Sequence, residues 1–221
     1  SSKKVLDQVN DFLRNGVDIV DLGAQSTRPG AEEVGSNIEI KRLIPYLKLI
    51  KSAYPEILVS IDTFNSDVAH EALLNGADWI NDVTGGRRDK EILDVVSKFN
   101  CPFVITHSRG SSLNMNELSK YENVLSEVRC SLETLIKNAL DKNISRNNII
   151  LDPGIGFSKD LNQNLEILRN LHVFKKLNLP ILIGASRKRF IGEILNEKNP
   201  KERDIGTLAI SCLCSQFNID I

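Results

Sequence analysis

Residues 149–157 read Ile-Ile-Leu-Asp-Pro-Gly-Ile-Gly-Phe: a short apolar run ends in a carboxylate and passes straight into a Pro-Gly turn. The same grammar recurs along the chain. Val17-Asp18-Ile19-Val20-Asp21 leads into DLGAQSTRPG (21–30), the run from Ile57 to Asp62 ends in SIDT (60–63), and Trp79-Ile80-Asn81-Asp82 opens NDVTGG (81–86). Phe103 to His107 and Ile181 to Gly184 follow the pattern, the latter opening GASRK (184–188). Each run is short, apolar and rich in β-branched residues, which suits a strand buried on both faces of a parallel sheet. Between the runs lie amphipathic stretches of helical length. Lys3 to Asn15 places Val5, Leu6, Val9, Phe12 and Leu13 on one stripe, Ser36 suits the N-cap of a helix running to Ala53, and Asn75-Gly76 closes the one from Ser66. Regular βα alternation predicts an α/β fold with parallel strands. A polar residue at the C-terminal end of almost every strand favours a TIM (β/α)8 barrel, which focuses all those ends on one mouth, over an open sheet with a single switch point.

The 221 residues suffice for one full core, and residues 1–221 read as one domain. A formal charge of −1, without a long run of one sign, gives no nucleic-acid or membrane footprint. The first residues carry no signal-peptide core and no apolar stretch reaches spanning length, so a cytoplasmic protein or an organelle-imported mature domain is expected. Cys101, Cys130, Cys212 and Cys214 lack paired spacing and read as reduced thiols. The chain opens in a helix with no strand before it and stops at Asn218-Ile219-Asp220-Ile221, which looks like the start of another strand. A barrel lacking its first strand and most of its last strand and helix is therefore expected, as in a domain cut from a longer polypeptide.

Single motifs say little alone. Ser26-Thr27-Arg28-Pro29-Gly30 can hold a phosphate or carboxylate through a hydroxyl and a guanidinium, or be a plain loop with a solvated Arg. Asp62 and Asp152 can each cap a turn. Several strand ends acting only as caps is a poorer account than a shared site. Asp62, Asn81 and Asp152 together offer acceptors and an amide to a flat nitrogen heterocycle in a largely dry pocket. Ser186 reads as a helix start whose free N–H groups favour an anion, with Lys188 able to reach a ring nitrogen or carbonyl. Phe157 lies on a strand-end loop and can flank a planar ligand, whereas Trp79 reads as core. His107 reads as a hydrogen-bonded residue of the rim, and the stretch from His107 to about Leu118 as a flexible loop at the mouth. No GxGxxG or GxxxxGK[ST] is present, which removes the main support for dinucleotide and P-loop chemistry.

Taken together, DLGAQSTRPGAEEV (21–34), SIDT (60–63), NDVTGG (81–86), LDPGIGF (151–157), IGASRKRFIG (183–192) and ERDIGTLA (202–209) resemble dihydropteroate synthase, and more loosely the synthase portion of multifunctional eukaryotic folate enzymes. The resemblance spans essentially the whole chain. It implies condensation of p-aminobenzoate with 6-hydroxymethyl-7,8-dihydropterin pyrophosphate to give 7,8-dihydropteroate and pyrophosphate, by a dissociative displacement. Motif by motif it implies that Asp62, Asn81, Asp152 and Lys188 hold the pterin, with Asp21 in support. Thr27 and Arg28 fall on a loop over the reacting centre and its pyrophosphate, while Thr27, Pro29, Phe157 and Ser186 serve p-aminobenzoate. Asp62, Lys188 and Arg28 are the residues implied in catalysis. The family's magnesium ion and its Asn belong to a strand that would precede Ser1, and a pyrophosphate-anchoring Arg-x-His would follow Ile221, so these 221 residues by themselves are expected to bind pterin poorly and turn over slowly. The resemblance further implies a homodimer through the C-terminal helices, sulfonamide sensitivity, fusion to other folate-pathway domains, and a cytoplasmic or, in a fungal or plant source, mitochondrial location. A methyltetrahydrofolate corrinoid methyltransferase shares the barrel but lacks STRPG and SRK, and a non-catalytic pterin-binding domain is the remaining alternative.

Overall fold

The computed structural model describes residues 2–25, 33–111 and 114–221. Helix α1 (Ser2–Arg14) precedes five strands, β1 (Ile19–Gly23), β2 (Leu58–Asp62), β3 (Trp79–Asp82), β4 (Phe103–Thr106) and β5 (Ile149–Asp152). The connections carry α2 (Ser36–Ala53), α3 (Ser66–Leu74), α4 (Glu91–Phe99) and α5 (Val124–Asp141). After β5 come α6 (Leu161–Arg169), α7 (His172–Lys175), α8 (Arg189–Leu195) and α9 (Asp204–Gln216).

The sheet runs β1-β2-β3-β4-β5 and every pair is parallel. Strand order equal to chain order, with a helix on each connection, is the wall of a (β/α)8 barrel. Two more positions extend the wall. Ile181 bridges Leu151 in parallel, and Ile183 and Ile221 continue the ladder through N–H donations from Ile183 to the Ile221 carbonyl (3.0 Å) and from Ile221 to the Ile181 carbonyl (3.1 Å). The run from Ile181 to Gly184, expected as a strand, is thus a short paired segment, because the chain turns away at Ala185 toward the loop at residues 186–188. The expected strand at residues 17–21 is shifted to Ile19–Gly23, and the α2 cap falls on Gly35, with Ser36 already helical.

Ile61, Ile80, Phe103, Ile105, Ile149 and Leu151 are fully buried along the strands, and the helices answer with Leu43, Leu47 and Ile50 on α2, Ile92 and Val96 on α4, and Val128 and Leu132 on α5. Each such side chain contributes about 1.5–3 kcal/mol by leaving water. At the N-terminal end of the sheet Asp78 accepts from the Val59 N–H (2.8 Å) and from Lys51 Nζ (2.9 Å), which also donates to the Ile57 carbonyl (3.0 Å), tying α2, β2 and β3 together.

At the other end the backbone makes one close approach that only glycine permits. Gly154 has φ +73°, and a Cβ there would collide with the His107 carbonyl oxygen. Gly154→Ala is therefore expected to lose about 1–3 kcal/mol from strain and overpacking, read as a lower urea midpoint at unchanged slope. A variant as stable as the parent would show that the loop does not need this approach.

Candidate active site

The ladder pairs Gly23 with Asp62 and Asp62 with Asn81, so β1, β2 and β3 end at one level. Asn81 Nδ2 donates to Asp21 Oδ2 at 3.1 Å. Asp62 Oδ1 is enclosed with no hydrogen-bond partner among the described residues, while Asp152 is buried and its Oδ1 accepts from the Gly154 N–H at 2.7 Å. Lys188 reaches the same mouth, where its Nζ donates to the Ile155 carbonyl and stands 4.4 Å from the centre of the Phe157 ring. Burial raises the Asp62 carboxyl well above its usual range, Asp21, Asp82 and Glu39 add to that, and Lys188 opposes it. Burial likewise raises Asp152, with Lys188 the largest opposing influence. Lys188 is lowered by burial and held up by Asp152 and Asp62. The predicted heterocycle-binding side chains are thus one electrostatic unit.

Ser186 departs from the expected local structure. It does not begin a helix: residues 186 and 187 form a turn, Arg187 takes φ +54°, and α8 starts only at Arg189 with Lys188 as its cap. The cause lies in ERDIGTLA. Arg187 pairs with Asp204 through Nε and Nη2 (2.5 and 2.7 Å) and its backbone N–H donates to Thr207 Oγ1 (3.0 Å), while the buried Arg203 donates to the carbonyls of Arg187 (3.1 Å), Glu197 (3.1 Å) and Lys198 (2.8 Å). The SRK loop is held by the start of α9, and Ser186 is left exposed on the turn. Thr27, Arg28 and Pro29 lie outside the described residues.

His107 is hydrogen bonded but it is no rim residue, being 1% exposed. Its Nδ1 lies 2.9 Å from Nζ of Lys159, itself buried. Burial, then Lys159, Arg87 and Arg109, push His107 down to about 2, so the imidazole is neutral. Within the stretch that follows, Met115–Leu118 form a 3-10 turn, and Arg109 donates to the Lys120 carbonyl (2.7 Å) and to Glu127 (2.7 Å).

Sequence reading weighed Asp82 only as a strand end beside Asn81 and passed over Glu39, Asn164 and Lys159. Asp82 accepts from the Thr84 N–H, Thr84 Oγ1 and the Gly86 N–H (2.7, 2.8 and 2.7 Å), fixing the turn behind Asn81. Glu39 is buried on α2 and accepts from Asn65 Nδ2 (2.7 Å). Lys159 alone left a signal: it precedes the N-cap Asp160 of α6, where a cation opposes the helix dipole and needs another partner. Among the described residues no His, Cys, Asp and Glu group could hold a metal ion.

All 221 residues match the sequence profile of the family described as pterin binding enzyme. The chain belongs to the pterin binding enzyme family. The folic acid synthesis protein fol1 of Pneumocystis carinii is 44% identical over 214 residues, covering 95% of this chain and 29% of that protein. A dihydropteroate synthase of Synechocystis is 40% identical, covering 97% of this chain and 74% of the relative. A solved structure of FolP, a dihydropteroate synthase from Clostridium difficile, in the presence of pteroic acid superimposes with a TM-score of 0.93 at 37% identity, covering the whole chain and 81% of the other. The α/β barrel read from the strand pattern is thus that of the pterin-binding enzymes, and the chain spans less than a third of the fungal relative.

The raised carboxyls have a measurable consequence. Because the folded Asp62 holds its proton above the ordinary 3.8, the stability it lends is present in acid and is lost as pH rises from about that value through its folded one. The stability difference between the parent protein and Asp62→Asn is expected to fall across that window in urea unfolding at a series of pH values. A flat difference would mean an ordinary, solvated carboxyl.

Proposed function

We propose that this protein is a dihydropteroate synthase, joining p-aminobenzoate to 6-hydroxymethyl-7,8-dihydropterin pyrophosphate. The C–O bond to pyrophosphate breaks first. The aminobenzoate nitrogen then forms the C–N bond to the pterin methylene and loses one N–H proton. The observation that carries the reading is the meeting of Asp62, Asn81 and Asp152, at the ends of separate strands, with Lys188 at the start of α8, in a chain of this family. A pterin ring presents N–H and amino donors on one edge and a carbonyl and ring nitrogen on another. Asp62 and Asp152 accept from the first and Lys188 donates to the second. An entering ring N–H gives Asp62 Oδ1 the donor it lacks, which favours the carboxylate. That anion stabilises the cationic pterin methylene, and no nucleophilic side chain is required.

Phe157, with its face toward Lys188, is assigned to the aminobenzoate slot together with Pro29, Thr27 and Ser186. Arg28 and Thr27 are assigned to the pyrophosphate, which the expected magnesium ion would neutralise. Residues 1–221 are assigned as one barrel domain, cytoplasmic or mitochondrial, in a protein that carries further folate-pathway domains. No helix among the described residues is long and apolar enough to cross a membrane. A homodimer through the C-terminal helices is favoured by Ile205 and Leu208 on α9, 67% and 58% exposed, beside Ile194 on α8 at 52%.

Two measurements test these assignments. Calorimetry with 6-hydroxymethylpterin should show Asp152→Ala binding at least about tenfold more weakly than the parent, the loss of a charge-assisted hydrogen bond. Equal affinity would remove Asp152 from the pocket and the reading with it. Leu208→Glu should sediment as a monomer where the parent sediments as a dimer, and an unchanged dimer would place the interface elsewhere.

A further inference from the structure

Loop 153–158, between β5 and α6, is enclosed by two lysines. From one side Lys188 donates to the Ile155 carbonyl, faces the Phe157 ring, and lays its stem along Gly156, where a Cβ would come within 2.8 Å of Lys188 Cδ. From the other side the buried Lys159 meets three acceptors at short range: His107 Nδ1 (2.9 Å), the Gly154 carbonyl (2.9 Å) and the Phe157 carbonyl (3.0 Å). The His107 carbonyl is a longer fourth at 3.4 Å. An ammonium has three N–H groups, and three close acceptors use all of them. Burial pushes Lys159 down and Asp152 pulls it back up; the match of three donors to three acceptors favours the charged form. Asn164, 1% exposed, completes the frame, accepting from the Gly156 N–H (2.7 Å) and donating to the Asp160 carbonyl (2.7 Å).

We infer that Lys159 is a positioning residue of the pterin pocket: it holds loop 153–158 against the end of β4 and so sets where the Ile155 carbonyl and the Phe157 ring fix Lys188. This rests on the pterin-binding reading of Lys188. The same geometry assigns a tautomer, because a charged Lys159 can only donate to His107 Nδ1, which leaves the imidazole proton on Nε2.

Lys159→Met removes all three donors at similar length. The variant is expected to bind 6-hydroxymethylpterin at least tenfold more weakly, and the double variant with Lys188→Met is expected to be no worse than Lys188→Met alone, since both act through one side chain. A Lys159→Met protein that melts cooperatively and binds like the parent would overturn the inference. So would losses that simply add, which would mark Lys159 as general scaffolding. If Asp152→Ala also binds like the parent, the pterin reading is what has failed. Should Lys159→Met not fold, nitrogen-15 spectra of His107 in the unaltered protein decide. A neutral Nε2–H imidazole from pH 5 to 8 is expected, and an Nδ1–H form or a titration in that range would overturn the assignment.

Discussion

The parallel ladder that pairs Gly23 with Asp62, Asp62 with Asn81, and Thr106 with Asp152 sets the level at which every polar strand end emerges. Neighbouring strands stand about 4.8 Å apart, so side chains remote in sequence meet without any long connection having to aim them. A slip of one residue in β2 would turn Asp62 out of the mouth and Ile61 into it. Burial of Ile61, Ile80 and Ile105 on the sheet forbids that slip, so the hydrophobic pattern and the polar site are fixed by one register.

That register brings together more carboxyls than a dry pocket tolerates as free anions, and each is handled differently. Asp82 is satisfied by three donors of its own turn. Asp152 has one backbone donor and two lysines within electrostatic reach. Asp62 keeps an oxygen with no donor among the described residues: the Asn81 amide turns to Asp21 and the Lys188 ammonium to the Ile155 carbonyl. A buried acceptor without a partner costs about 1–3 kcal/mol. It is also the place where an incoming N–H would gain most, which is why the proposed function gives Asp62 to the ligand.

Much of this was legible in the sequence, for a physical reason. Asp62, Asn81 and Asp152 stand out because a polar residue ending a β-branched run is costly unless something uses it, and the repeats of that pattern point to one shared mouth. Lys159 and Asn164 were hardly legible because most of their partners are backbone groups, which every residue type supplies alike, and the one mark of Lys159 is its place before the α6 cap. Ser186 was misread for a related reason. Gly184-Ala185-Ser186 has the composition of a helix start, but the local preference is overridden by Arg187, which takes a left-handed conformation to reach Asp204 from the far end of the connection. A tertiary ion pair displaced the helix start by three residues, and neither segment alone carries that information.

The two lysines at loop 153–158 explain why its sequence alternates glycine with larger residues. Gly154 must lie flat on the His107 carbonyl for its own carbonyl to reach Lys159, and Gly156 must be bare for the Lys188 stem to pass. Between them Ile155 is fully buried, anchoring the loop to the core by its side chain while its carbonyl serves Lys188. Two cations in low dielectric repel one another, and each lowers the proton affinity of the other. What opposes that loss is Asp152, which is within electrostatic reach of both and comes first among the groups raising each lysine. Under the proposed function Asp152 has two duties that cannot be separated by mutation: it would accept from the ligand, and it supports the charges that position the loop. A change there removes a ligand contact and loosens the frame that presents Lys188, so its effect on binding should exceed that of the single hydrogen bond it makes.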